Sequence, residues 1–247
     1  MAALNLTFIG SGDAFSSGGR LQSGIFIESQ TQGLLLDCGT TLLTGLQRCG
    51  LTSNQIDTVA ISHLHGDHFG GIPFLLLDAL FVGKRNKPLH IFGPPGTESR
   101  IAAACRALYP GALDGPFPFA VTYHILDPQK PTVLEEFAIS SFAVSHGRHS
   151  AACALRLEIA GRTIAYSGDT AWDETLITLA KASDLFICEC CNYAEPSATH
   201  LDYLTLKQHL AELETARIIL THTGPMIDQN RHAIELEIAS DGLQIQL

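Results

Sequence analysis

The chain has 247 residues, 46% of them hydrophobic, enough to bury a substantial core in one large domain or two small ones. Its 25 acidic residues against 15 basic ones leave a formal charge of −10, which repels polyanions and argues against extended contact with a nucleic-acid backbone. The densest basic stretch, Lys84, Arg85 and Lys87, reads as a solvated turn rather than a binding patch.

The predicted elements alternate in a way that groups strands into two halves. Leu4 to Ile9, Gly24 to Glu28 and Leu34 to Asp37 are short apolar runs between Gly-rich or polar turns, the pattern of strands joined in hairpins. Thr41 to Cys49 has helical spacing at Leu42, Leu43 and Leu46, with Gly50 placed to stop it. A strand from Asp57 to Ser62, a helix from Gly70 to Phe81, a strand from Leu89 to Phe92 and a helix after Pro94-Pro95-Gly96 follow. Val121 to Leu126, Phe137 to Val144, Ala152 to Ile159 and Thr163 to Ser167 form a β-rich stretch punctuated by Pro128, Pro131 and Gly161. The last third alternates: helix near Asp173 to Lys181, strand Asp184 to Cys188, helix Thr205 to Leu213, strand Arg217 to Thr221, and a closing pair of strands. With no repeat, linker or boundary, residues 1–247 read as a single domain of two packed sheets with helices outside.

The N-terminus lacks a basic stretch followed by a long apolar one, so no secretory signal is expected. The longest apolar region, Ile72 to Val82, is broken by Asp78 and falls short of the roughly 20 residues that span a bilayer, which predicts a soluble protein without membrane contact. Seven cysteines with no C-x-x-C pair suit reduced thiols in the cytoplasm. The cluster Cys188-Glu189-Cys190-Cys191 could serve a soft metal, although thiols are equally at home in buried strands.

Chemistry concentrates in Ser62-His63-Leu64-His65-Gly66-Asp67-His68-Phe69-Gly70-Gly71, which places three imidazoles and a carboxylate within six positions directly after a strand. Unpaired buried imidazoles are costly and seldom crowd together for structural reasons. His63 and His65 can project together from an extended strand end while Asp67 and His68 turn away as a helix begins, so one segment can serve two adjacent ions. Imidazole with carboxylate suits zinc, iron and manganese, and points to an open catalytic site rather than a closed thiolate one.

His63-x-His65-x-Asp67-His68 after a strand resembles the signature of the metallo-β-lactamase superfamily. The later positions of that pattern are matched in order by His146 in Val144-Ser145-His146-Gly147, Asp169 in Ser167-Gly168-Asp169-Thr170 and His222 in Thr221-His222-Thr223. The Gly10-Ser11-Gly12-Asp13 turn and the Leu36-Asp37-Cys38-Gly39 hairpin end look like the family's as well. The resemblance implies an α/β, four-layer αββα sandwich with the metals at strand ends between the sheets. One ion would be held by His63, His65 and His146, the other by Asp67, His68 and His222, with Asp169 bridging. Two divalent ions, zinc before manganese or iron, would share a hydroxide that attacks the substrate, Asp67 helping to fix it.

Within the superfamily the ribonuclease Z and small phosphodiesterase branch is the nearer resemblance. Gly93-Pro94-Pro95-Gly96-Thr97 looks like a loop of that branch, and Ile187-Cys188-Glu189 and Thr199-His200-Leu201 fall where it keeps a Glu and a His that helps the leaving oxygen depart. His200, oriented by Glu189, is therefore the expected general acid. Only 22 residues separate His146 from Asp169, too few for the arm that tRNA-processing members carry there. With the acidic charge, this favours a small phosphodiester, such as a cyclic nucleotide or nucleotide-like ester, over tRNA 3′-end processing. A lactone or thioester hydrolase is the rival enzyme, and a metal- or ligand-binding protein without turnover the rival of another class. Asp13, Phe69, Trp172 and Tyr193 are candidate pocket-lining residues, set against ordinary packing. The branch also often forms homodimers, and the apolar Phe69 to Val82 stretch is a candidate either for such an interface or simply for the core.

Overall fold

The computed structural model describes residues 3–113, 115–128, 130–134, 136–147 and 151–247. Among them the first half of the chain gives β1 (Asn5–Gly10), β2 (Gly24–Glu28), β3 (Gly33–Leu36), α1 (Leu42–Arg48), β4 (Thr58–Ala60), α2 (Gly66–Phe69), α3 (Ile72–Phe81), β5 (Leu89–Gly93), α4 (Thr97–Leu108) and β6 (Val121–Ile125). The second half gives β7 (Thr132–Leu134), β8 (Phe137–Ala143), β9 (Cys153–Ile159), β10 (Arg162–Tyr166), α5 (Thr175–Ala180), β11 (Leu185–Glu189), α6 (Tyr203–His209), β12 (Ile218–Thr221), α7 (Pro225–Gln229), β13 (Glu237–Ile238) and β14 (Gln244–Gln246).

The strands form two sheets, ordered β14-β1-β2-β3-β4-β5-β6 and β13-β12-β11-β10-β9-β8-β7. Each sheet is antiparallel on one side and parallel on the other, changing over at β3 in the first and at β10 in the second. The parallel pairings arise because their connections carry helices, which must return across the outer face.

Most of these strands are buried on both faces, so they read as continuous apolar runs rather than as alternation. In β3, Leu34 and Leu36 face the partner sheet while Leu35 faces α1 and α3; in β11, Leu185 and Ile187 face inward while Phe186 and Cys188 meet α5 and α6. One core thus lies between the sheets and one beneath each helical layer, the expected αββα sandwich. Among the described residues no helix is long and apolar enough to cross a membrane.

Four details depart from the sequence reading. The helix expected over Gly70 to Phe81 begins at Ile72 and is preceded by the single turn α2, because the Cys38 N–H bonds the His68 carbonyl at 2.6 Å and the Gly71 N–H bonds the Cys38 carbonyl at 2.8 Å, pinning the link between the helices to the β3 end. The strand β7, three residues on a sheet edge, was hidden among the prolines. The closing strands do not pair with each other: β13 joins the second sheet and β14 returns to the first beside β1. Arg85 is not solvated but 3% exposed, its guanidinium donating to the carbonyls of Ile56, Lys87 and Pro88, with Asp57 at 4.0 Å; burial pulls its pKa down against that carboxylate. Most of the Phe69 to Val82 stretch is core, and only its end, Phe81 and Val82, is well exposed.

Between Ala151 and Asp169 the chain is taken up by β9, a two-residue turn and β10, which leaves no protruding arm. That turn, Ala160-Gly161, has φ of 52° and 74°. Two successive positive φ values define the type I′ hairpin that suits strand twist and favours Asn-Gly, and alanine in the left-handed region is strained. Ala160→Asn should therefore raise stability by about 0.5–1 kcal/mol, read as a higher urea midpoint with unchanged slope.

Candidate metal centre

Ligands of parallel sheets gather beyond the carboxyl ends of the strands, and here the ends of β3, β4, β8, β10, β11 and β12 all deliver polar side chains to one place. Asp37 follows β3, His63 and His65 follow β4, His146 follows β8, Asp169 follows β10, Glu189 ends β11 and His222 follows β12. His65 caps α2 in extended backbone, so the chain turns there and sends Asp67 and His68 inward from the helical turn.

The donor atoms of His63, His65 and His146 lie within 4.8 Å of one another, and so do those of Asp67, His68, Asp169 and His222. Asp169 stands between the two groups. Its Oδ2 is 3.7 Å from His63 Nε2, 3.7 Å from His146 Nε2 and 3.5 Å from His222 Nε2, while its Oδ1 is 3.2 Å from His68 Nε2. Asp67 Oδ2 is 3.2 Å from His68 Nε2 and 3.3 Å from His222 Nε2. All seven residues expected around the cations are thus gathered in one cluster.

Three of the imidazoles, those of His63, His68 and His146, are held from behind. His68 Nδ1 donates to Asp37 Oδ2 at 2.7 Å, and His146 Nδ1 donates to the Thr199 carbonyl at 2.6 Å. The Ser62 hydroxyl, donating to Asp37 at 2.8 Å, accepts from His63 Nδ1 at 3.1 Å. These bonds fix the tautomers of those three rings and leave their Nε2 atoms as lone pairs directed at the centre, the arrangement that orients metal-ligating histidines.

Asp37 is the hub of this support, and its role was missed in the sequence, where only its hairpin end drew attention. Fully buried, it accepts from the Ser62 N–H at 2.7 Å and from the Tyr166 hydroxyl at 2.6 Å in addition to the bonds above. Both Asp37 and His222 sit at positive φ, 57° and 52°, a strain of about 1–3 kcal/mol that surrounding structure must hold and that aims both side chains into the cluster. Gly168 is needed for the Asp169 turn, since a Cβ there would lie 2.8 Å from Ser62 Cβ and 3.0 Å from the Cys153 carbonyl oxygen.

The residues fit divalent cations. His63 Nε2, His68 Nε2 and Asp169 Oδ1 are buried without a hydrogen-bond partner, an expensive condition for a folded protein unless something polar lies between them. Asp37, Asp67, Asp169 and Glu189 are buried carboxylates, and among the described residues no Lys or Arg pairs with any of them. Burial raises the Asp169 pKa, but the surrounding imidazoles of His222, His68 and His63 outweigh it and hold the carboxyl well below its usual range. Burial likewise lowers that of His68, and Asp169 and Asp37 reverse the shift.

Beside the cluster, His200 Nδ1 donates to Glu189 Oε1 at 3.0 Å and lies 4.0 Å from Asp169 Oδ2. Glu189 is also fixed by the Thr170 N–H at 2.7 Å, and burial pushes its pKa up. His200 is pulled down by burial but raised overall by its bond to Glu189.

A cavity of about 760 Å³ opens over these groups, with Asp67, His146, Asp169, His200 and His222 on its floor and Leu64, Gly96, Ser99 and Arg100 on one wall. Asp13, Phe69, Trp172 and Tyr193 do not line it. Asp13 bonds Ser17 within its own turn, Phe69 is in the core under the first sheet, Trp172 stacks on His209 at 3.9 Å and Tyr193 on Tyr203 at 5.9 Å. Arg100 escaped the sequence reading because no motif surrounds it; only the position of α4 brings it to the cavity.

The family model described as "Anti-Pycsar protein Apyc1" matches residues 4–239. The uncharacterized protein Rv1339 of Mycobacterium tuberculosis is 30% identical over 222 residues, 86% of this chain and 77% of its own. The probable metallo-hydrolase YhfI of Bacillus subtilis is 27% identical over 226 residues, 89% of this chain and 86% of its own, and its crystal structure, a metallo-β-lactamase fold protein, superposes with a TM-score of 0.81 at 22% identity over 100% of both chains. The ribonuclease Z of Lachnoclostridium phytofermentans is 28% identical over 144 residues, 58% of this chain but only 45% of that enzyme. The chain therefore belongs to the family of the anti-Pycsar protein Apyc1, within the metallo-β-lactamase fold.

Proposed function

We propose that this metallo-hydrolase is a phosphodiesterase that cleaves a small phosphodiester, a cyclic nucleotide or nucleotide-like ester, with two divalent cations, zinc foremost. The observation that carries the reading is the His200–Glu189 pair at the cavity floor, 3.0 Å apart and beside Asp169. His63, His65 and His146 would hold one cation, Asp67, His68 and His222 the other, and Asp169 would contact both. Cations so held would activate a water and neutralise charge gathering on the phosphoryl oxygens.

The remaining work falls to the chain's own groups. Because His200 Nδ1 is committed to Glu189, its Nε2 is the nitrogen free to carry a proton to a departing alkoxide, and the Glu189 carboxylate stabilises the ring in its charged form. Asp67, a buried acceptor beside His68 and His222, would contribute negative charge to hold the second cation. Among the described residues Arg100 is the single Lys or Arg lining the cavity, and it gives an anionic small-molecule substrate a point of attachment in a chain of negative charge. A phosphodiester with a poor leaving group needs the proton that His200 supplies, whereas a lactone or thioester hydrolase built on the same residues would not depend on it.

Asp67→Ala should abolish turnover of bis-p-nitrophenyl phosphate and lower bound metal from two ions to one per chain, measured by elemental analysis of the purified protein. Full activity in that variant would sink the two-cation reading. His200→Ala should slow hydrolysis of a cyclic nucleotide by about 10²–10⁴-fold and that of bis-p-nitrophenyl phosphate much less, because p-nitrophenolate leaves unprotonated. Equal losses on both substrates, or undiminished acyl-ester turnover with no phosphodiester cleavage, would count against the assignment. Arg100→Ala should raise KM for an anionic phosphodiester by about tenfold with kcat little changed, seen in initial-rate kinetics; an unaltered KM would remove Arg100 from the binding surface.

A further inference from the structure

The cysteine-rich segment at the end of β11 is divided by burial. Cys188 and Cys190 are 0% exposed in the core beneath the second helical layer, and their thiols face the carbonyls of Glu189 and Asn192. Cys191 lies one residue past that core and is half-buried. Its backbone is held on both sides, the N–H by Glu189 Oε2 at 3.3 Å and the carbonyl by the Gly224 N–H at 3.1 Å.

Its thiol sulfur, a ring nitrogen of His200 and a ring nitrogen of His222 lie within 4.8 Å of one another. His222 is 2% exposed, its Nε2 is turned to Asp67, its Nδ1 is buried, and the Cys191 thiol pairs with the ring. Two imidazoles and a thiolate are a donor set for zinc or cadmium that leaves a fourth position open, softer than the carboxylate-rich set around Asp67 and Asp169. Bond lengths of about 2.0–2.3 Å require donors roughly 3.5 Å apart. The three side chains must therefore close by about an ångström, which the partly exposed Cys191 and His200 have room to do.

We infer that Cys191, His200 and His222 form an additional seat for a thiophilic divalent cation, zinc in excess or cadmium, whose occupancy shuts the enzyme down. Binding converts the Cys191 thiol to thiolate and releases its proton to solvent. It also draws His200 away from Glu189 and from the leaving oxygen, and pulls on the His222 ring whose Nε2 faces Asp67. The inhibitory half of the inference rests on the phosphodiesterase reading; the binding half does not.

The test is a titration of zinc-loaded protein with cadmium, followed by the ultraviolet thiolate-to-cadmium charge-transfer absorption and by bis-p-nitrophenyl phosphate turnover. Wild type should develop the absorption to a stoichiometric end point while its rate falls about tenfold or more. Cys191→Ser should show neither change relative to its own starting rate, and His200→Gln should weaken cadmium binding by about 10-fold or more while keeping its circular dichroism spectrum. Absorption that persists in Cys191→Ser, as it would if Cys49 were the ligand, overturns the inference; so does cadmium bound at Cys191 that leaves turnover untouched. Should the protein prove to have no phosphodiesterase activity, the absorption titration still reads the seat, and failure of the function is then told apart from failure of the site.

Discussion

Asp169 is a carboxylate at 2% exposure surrounded by the imidazoles of His63, His68, His146, His200 and His222. A charge so deep is tolerable only when paired and oriented. Its neighbours come from both sheets: His63 and His68 leave the first, whereas His146 and His222 leave the second. The electrostatic demand of one side chain therefore draws the open ends of the two sheets together, and the cluster of donor atoms and the cavity above it follow from that meeting.

Rigidity around Asp169 comes from behind the histidines rather than from the histidines themselves. The Asp37 hub binds His68, Ser62 and Tyr166 in a fully buried network, and Ser62 passes the constraint on to His63. Tyr166 ends β10 only three residues before Asp169, so the hub ties the turn that presents this carboxylate to the strand ends that present the imidazoles. Networks of this kind are sound only when every member is satisfied, and within the Asp37 hub the unsatisfied atoms, His63 Nε2 and His68 Nε2, are on the side facing the centre.

Much of this was legible in the chain before any fold was considered. His63, His65, Asp67 and His68 sit so close together that local spacing alone marks them, and apolar runs broken by Gly and Pro located most strands within a residue or two. His146, Asp169 and His222 became legible only through their order in a known pattern, since a single histidine after a strand carries little information. Asp37 and Arg100 stayed obscure for opposite reasons: the first acts through partners up to 129 residues away, and the second acquires its position from the placement of a helix. Arg85 misled because three charges in a turn resemble a solvated surface, and nothing local shows that carbonyls wait for one of them.

The return of β14 to the first sheet has a bearing on how the molecule is made. Leu6 of β1 lies opposite Ile245, so the outer neighbour of the first strand is synthesised 239 residues after it. Until then β1 presents a bare row of amides and carbonyls, a template for unwanted pairing in a nascent chain. Closure of that ladder joins residues far apart in sequence, which makes it a slow, non-local event. Substitutions that weaken β14 would accordingly show first as poor yield and aggregation during synthesis, even though the strand lies outside the reactive cluster.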